Sequence, residues 1–326
     1  MKRSATLFFA VAAVLLGAGN VDASTLVVAN KGEDTVSLIH FESGEERARL
    51  RTGPQPHEVA LSPTGEYAAV VAYGGQTIDI IDIAEARSVA VLTLPQGARP
   101  HGLAWLDDGR IVATAEGLGA LIIIPADRGG VVVIPLNRLR PHMTVVSPDG
   151  RLAYVSNVNS GVVSVVDLNH QTVLAELEAG QAPEGIALSP DARTLWVAER
   201  DADRVRVFDT HSLAELGAVK TGERPIRIML SSDGRHAITS NFVDGTLTVI
   251  DTETLLVRQT ITIADGVDAN MVTILPGSSS GQVLVAETGH DRVAEVDLAS
   301  AGVVRRIAVG RRGDGLALSP VDVAPH

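Results

Sequence analysis

The chain has 326 residues, a net charge of −12, a pI near 5.2, only 3% aromatic residues and no cysteine. That balance argues against nucleic acid as a partner, which needs a basic face and stacking aromatics, and it excludes disulfides and covalent c-type haem. No linker, charge block or low-complexity run marks a second domain.

Met1-Lys2-Arg3 is a short basic head, and Thr6–Gly17 is an apolar run too short to remain as a membrane-spanning anchor. Val21-Asp22-Ala23 supplies the small residues that a signal peptidase reads. Residues 1–23 are therefore expected to be a signal peptide, and the mature chain from Ser24 a periplasmic or secreted bacterial protein. Without cysteine there is no lipoprotein anchor at the cleavage site.

Three strands follow, Thr25–Asn30, Thr35–Phe41 and Arg47–Arg51, the last two preceded by turn residues. They read as strands two, three and four of a unit that lacks its first strand. A turn then recurs as Ser62-Pro63, Ser147-Pro148, Ser189-Pro190, Ser231-Ser232 and Ser319-Pro320, with degenerate copies at Leu106–Gly109 and around Pro276-Gly277. Ser147 to Ser189 and Ser189 to Ser231 are each 42 residues, and Ser62 to Ser319 is 257, or six intervals of roughly 43, the period of a four-stranded propeller blade. The segment from Arg140 to Gly180 shows the unit most clearly, with short β-branched runs separated by SPDG, NVNSG and LNHQ.

Second strands are expected to end at Asn30, Tyr73, Glu116, Asn157, Glu199, Asn241 and Glu287. Third strands are expected to end at His40, Asp82, Pro125, Asp167, Asp209, Asp251 and Asp297. The seventh first strand, Asp314–Ser319, has almost no chain after it. It completes the N-terminal unit, so residues 24–326 read as an all-β, seven-bladed propeller of four-stranded antiparallel blades, closed by the two termini sharing one blade. Closure removes the edge strands that would otherwise recruit partners, and a monomer is expected. The longer stretch Leu275–Gln282 reads as an extended surface turn.

GQAPEGIALSPDARTLWVAERDADRVRVFDT and RPHMTVVSPDGRLAYVSNVNSGVVSVVDL resemble the repeats of the YVTN-repeat β-propeller family. The resemblance covers the chain after Ala23 and implies the propeller fold. It leaves function open, since such propellers serve as lactonases, lyases, haem and copper enzymes, and binding modules.

Connections between blades and the turns between strands two and three converge on one end of the axis, the upper face. Just after the recurring proline, successive blades carry His57, His101, His142, Glu184, Ile226, Asp268 and Asp314. Three imidazoles at one position in consecutive blades, followed by a carboxylate, form a donor set for a divalent transition metal such as zinc or copper. His57, His101, His142 and Glu184 are thus the candidate ligands, and an open coordination position would permit hydrolytic chemistry. The plainer alternative is histidine inherited by duplication and bonded to neighbouring loops.

Arg99, Arg140 and Arg224 precede the same proline and Arg227 follows it, a pattern suited to an organic anion. Arg99, Arg140, Arg227 and Glu287 are therefore candidate ligand-binding residues. Glutamate is not a favoured turn former, so Glu116, Glu199 and Glu287 are the informative members of the second-strand series; Glu116 and Glu199, with Glu184 at the inner-strand position, are candidate acid–base groups. They could equally form surface ion pairs, for instance with Arg200 or Arg292. The Asp series ending the third strands reads as turn caps on the opposite face.

Three functions stay open at this point. One is a small-molecule site built on a metal, and another a metal-independent lactonase-type enzyme, implied by the resemblance alone. The third is a non-catalytic surface for a protein or envelope polymer.

Overall fold

A computed structural model describes residues 24–264, 271–277 and 281–324, with only the backbone of 271 and 272. The expected signal peptide, Asp268 and the terminal His326 lie outside the described residues.

The strands form seven four-stranded antiparallel sheets. Blade one takes its inner strand, Gly313–Ser319, from the C-terminal end and pairs it with Thr25–Asn30, followed by Thr35–His40 and Glu45–Arg51. Blades two to seven begin with inner strands Pro56–Leu61, Pro100–Trp105, Pro141–Val146, Pro183–Leu188, Pro225–Leu230 and Met271–Pro276. Each inner strand touches the next, and Met271–Pro276 touches Gly313–Ser319, so the ring closes.

The core lies between the blades. Second strands such as Thr25–Asn30 and Tyr67–Ala72 are buried nearly throughout, because each packs against a neighbour on either side. Seven apolar clusters result among the described residues, one per blade interface. Val27, Leu38, Val70 and Ile81 fill that between blades one and two, and Leu26, Ile39, Leu284 and Val293 fill that between blades seven and one. Each buried Leu, Ile or Val contributes about 1.5–3 kcal/mol relative to exposure. Outer strands such as Glu215–Lys220 are largely solvated on one side.

The lower face carries the repeated turns. In blade five, Ser189 Oγ donates to Asp191 Oδ1 (2.6 Å) and accepts from the Thr194 amide (3.0 Å). Ser231 and Asp233 repeat the arrangement in blade six, and Ser147 and Asp149 in blade four. The third-strand aspartates cap the next turn as expected. Asp167, Asp209, Asp251 and Asp297 accept from the amides of His170, Ser212, Thr254 and Ser300.

Strand register corrects two expectations. Asn30 pairs with Thr35, whereas Ala72 pairs with Thr77 and Ala115 with Ala120. The second strands of blades two and three therefore end at Ala72 and Ala115, one residue before Tyr73 and Glu116. The apolar runs hid this, because a small residue closes the strand where other blades place Asn or Glu. In blade seven Met271 opposes Glu287, as Pro56 opposes Ala72, so the position after the proline falls at Val272 and not at Asp268.

Candidate functional site at the upper end of the axis

Two successive positions, the last residue of each second strand and the one that follows it, have opposite fates. The first, Asn30, Asn157, Glu199, Asn241 or Glu287, is fully buried within its own blade. Asn157 Nδ2 donates to Ser164 Oγ (3.0 Å) and Asn241 Nδ2 to Thr248 Oγ1 (2.9 Å). Glu199 accepts from the Gln181 amide (2.6 Å) and pairs with Arg204; Glu287 accepts from Arg292 (2.5 Å) and Arg306 (2.8 Å). Glu199 and Glu287 thus satisfy their own blades and do not join the axial cluster. The second position, occupied by Lys31, Tyr73, Glu116, Arg200, Phe242 and Thr288, is the one that supplies groups to the axial cluster and its cavity.

A repeated backbone device holds that second position. In blades one to six the residue before the inner-strand start is left-handed: Gln55 (φ 51°), Arg99 (47°), Arg140 (59°), Ala182 (51°), Arg224 (55°) and Arg312 (53°). None is glycine, and each such conformation costs about 1–2 kcal/mol. In return its carbonyl accepts the amide of Tyr73, Glu116, Val158, Arg200, Phe242 or Lys31, at 3.0–3.2 Å.

The three histidines sit side by side. The ring centroids of His57 and His101 are 4.2 Å apart and those of His101 and His142 are 3.6 Å apart, and all three rings are buried. Carboxylates flank the outer two. Asp314 Oδ2 lies 2.5 Å from His57 Nδ1, although the ring N–H is not aimed along the contact. His142 Nδ1 donates to Glu116 Oε1 (2.6 Å), and its Nε2 lies 3.3 Å from Glu184 Oε1. His57 Nε2 is 3.2 Å from Lys31 Nζ.

His101, in the middle, is 1% exposed and has no hydrogen-bond partner on either nitrogen. Burial pushes its pKa well below the ordinary imidazole value, and the neighbouring His142, His57, Arg227 and Lys31 push the same way, so it is neutral. Donor atoms of His57, Glu58 and His101 lie within 4.8 Å of one another, and so do those of His101, Glu116 and His142.

The surrounding groups are locked. Tyr73 donates its hydroxyl to Glu116 Oε2 (2.9 Å) and receives Arg99 Nη2 (2.8 Å); burial and then Glu116 raise its pKa, keeping it a donor. Burial opposes ionisation of Glu116, but bonds from His142 and Tyr73 with the charge of Arg140 outweigh it, and its pKa falls. Glu184 behaves likewise, held far down by His142, Arg227 and Arg200, whose Nη1 donates to it at 2.6 Å. Asp314 is drawn down to about 2 by His57, Lys31 and Arg227 despite complete burial.

One residue deeper, small and large side chains alternate: Gly315, Glu58, Gly102, Met143, Gly185, Arg227 in blades one to six. A Cβ on Gly315 would lie 2.1 Å from the His57 carbonyl, and one on Gly102 would lie 2.6 Å from that of His142. The inner strands therefore approach closely enough for Arg227 to reach across the axis to Glu58 (2.5 Å), forming a buried pair beneath the histidines.

The cavity at this end measures about 580 Å³ and is lined by His57, His101, His142 and Glu184 on one side. Ile226, Arg227, Phe242, Thr288, Arg311 and Arg312 complete the rest of the wall, and Lys31 stands beside His57. Five cations (Lys31, Arg140, Arg227, Arg311, Arg312) face three carboxylates (Glu184, Asp291, Asp314), the reverse of the chain's net charge of −12.

Of the expected residues, His57, His101, His142, Glu184, Glu116, Arg140 and Arg227 come together. Arg99 stands at the rim over the Tyr73 ring, 4.7 Å from its centroid, and Arg224 at the rim near Asp201. Asp314 and Tyr73, members of the two upper-face series, and Arg200, a possible ion-pair partner, join the cluster, as do Lys31 and Glu58, which belong to neither series. Reading the turn one residue later would have found Lys31 and Arg200.

A family model described as a YNCE-like beta-propeller matches residues 5–326. A search of curated protein sequences finds no match. Among solved structures, Kuenenia stuttgartiensis hydrazine synthase aligns with a TM-score of 0.72 and 16% identity, over 81% of this chain and 90% of that one. The dihydro-heme d1 dehydrogenase NirN, in complex with DHE, aligns with a TM-score of 0.68 and 19% identity, over 88% of this chain and 64% of that one. A functionally unknown protein from Desulfotomaculum acetoxidans DSM 771 aligns at 0.76 and 15% identity, over 93% and 100%. At such identities these likenesses speak to fold alone.

Proposed function

The chain belongs to the YNCE-like β-propeller family, and on that scaffold we propose that the protein binds a divalent transition metal through His57, His101 and His142, with Glu184 or Glu116 assisting. The observation that carries this reading is His101, whose two nitrogens are buried, neutral and unpartnered between two other imidazoles. Burying a polar atom without a partner costs about 1–3 kcal/mol, and a metal ion removes that cost.

The outer histidines fit the same role. A carboxylate stands beside Nδ1 of His57 and of His142, the arrangement that orients metal-ligating histidines, and a metal at Nε2 would displace Lys31 from His57 and draw in Glu184 at His142. Zinc or copper suits such a nitrogen-rich set. A metal held here would supply Lewis-acid chemistry, while Tyr73 and Glu116 would hold a proton at the rim of the site. The export expected from the N-terminal segment would place its ligand among periplasmic or extracellular solutes.

Elemental analysis of the mature protein, beside a His57→Ala/His101→Ala/His142→Ala variant, tests the reading. About one transition-metal ion per chain is expected in the wild type and none in the variant. Wild type that stays metal-free after incubation with zinc and with copper would sink it.

A further inference from the structure

We propose that the cavity takes an organic diacid, one end completing the coordination of the metal and the other held by Arg311 and Arg312. This rests on the metal reading for the first end only. The three histidines occupy one arc of the cavity, and Arg311 and Arg312 occupy the arc contributed by the connection leading into blade one.

Three observations point to that ligand class. Arg311 and Arg312 stand together on the lining of a chain that is otherwise acidic, Arg311 only loosely paired at 3.9 Å from Glu33, so this arc favours an anion. The Arg312 guanidinium has no ion-pair or hydrogen-bond partner among the described residues, and the left-handed backbone at Arg312 places it on the lining. Arg227 is 6% exposed, lines the cavity, and keeps its Nε without a partner, although its far end is committed to Glu58.

Between the two arcs, Phe242 and Ile226 offer apolar surface. A cavity of about 580 Å³ exceeds what a small inorganic anion fills and suits a molecule of moderate size. A diacid with an apolar body matches all of this: one acid group near the histidines, one in the arginine arc, carbon between.

Calorimetry on the full mature chain, metal-loaded and chelator-stripped, with isophthalate and suberate beside their uncharged diamides, tests the proposal. Metal content is measured on the same samples. The diacids are expected to bind metal-loaded protein at least about tenfold more tightly than the diamides. Arg311→Ala/Arg312→Ala is expected to lose about tenfold in diacid affinity at unchanged metal content and thermal midpoint, and Arg311→Lys/Arg312→Lys to recover part of it.

Diamides binding as well as diacids, unchanged affinity in the alanine variant, or no diacid binding to metal-loaded protein would each overturn the proposal while leaving the metal in place. Equal diacid affinity with and without metal would overturn the bridging arrangement. Failure to load metal is seen in the elemental analysis itself, and would remove the metal reading and the bridging form together.

Discussion

The two ends of the propeller axis treat polar residues in opposite ways. At the lower end the same residues recur at the same positions. Ser147, Ser189 and Ser231 bond to Asp149, Asp191 and Asp233 two residues away, and each of these three bonds stays within one turn. At the upper end the positions recur but the residues change: His57, His101, His142 and Glu184 stand at one level, Lys31, Tyr73, Glu116 and Arg200 at another. Their partners are distant in sequence, as in Arg227 with Glu58 and Lys31 with Asp314. A repeat that keeps its residue is serving its own blade. A repeat that keeps its position and varies its residue is building something shared by all the blades.

The comparison can be broken most forcefully at the buried pair under the histidines. Arg227→Ala leaves the Glu58 carboxylate buried and uncompensated, and is expected to cost about 3–5 kcal/mol. A Glu58→Leu/Arg227→Met variant removes both charges and is expected to recover most of that, since a buried pair contributes little net stability over an apolar filling. Urea unfolding midpoints of the three proteins decide it. If the single variant is as stable as wild type, the upper cluster is not energetically shared across the axis.

Acid sharpens the contrast. Asp314 titrates at about 2 in the folded protein, against about 4 in an unfolded chain. A carboxylate whose folded pKa is lowered adds stability in full above its unfolded value and loses it as pH falls through the folded one. On the order of 2 kcal/mol from Asp314 should therefore disappear between about pH 4 and about pH 2. The lower-face carboxylates Asp191 and Asp233 are also lowered, each by its own serine first, but they are exposed and screened by water. Urea midpoints measured down that range should fall less steeply in Asp314→Asn than in wild type. Asp191→Asn/Asp233→Asn should leave the slope nearly unchanged. Equal slopes in all three would mean the buried cluster has no special part in acid stability.

This contrast also explains what could be read from the chain alone. Blade number, strand order and closure follow from the Ser-Pro-Asp-Gly period and the β-branched runs, because a four-stranded sheet with two apolar faces has to stack on copies of itself. The histidine level was legible because Pro-His recurs in Pro56-His57, Pro100-His101 and Pro141-His142. Tyr73 and Glu116 were grouped with Glu199 and Glu287 because all four follow an apolar run, yet register separates them by one residue and sends them to different surroundings. Glu58 and Arg227 were beyond reach of the chain order. Their contact spans 169 residues and depends on glycines at 102, 185 and 315 letting the inner strands close together.

The smallest effect expected is at the lower face, and its smallness is the point. Ser231 Oγ donates to Asp233 Oδ1 (2.6 Å) and accepts from the His236 amide (2.9 Å), while the Gly234 amide bonds to the Ser231 carbonyl (2.8 Å). Ser231→Ala removes the two side-chain bonds and keeps the backbone one. The turn is part-exposed, so water can replace the lost partner, and the cost should stay near about 1 kcal/mol. The neighbouring blades supply none of the bonds broken, so the loss should be the same in Ser189→Ala and should add to it, as independent sites do. Metal content should not move. Urea midpoints of the two single variants and the double test this: a loss approaching that of Arg227→Ala, or strong non-additivity between Ser189 and Ser231, would show that the lower turns are coupled around the ring as well.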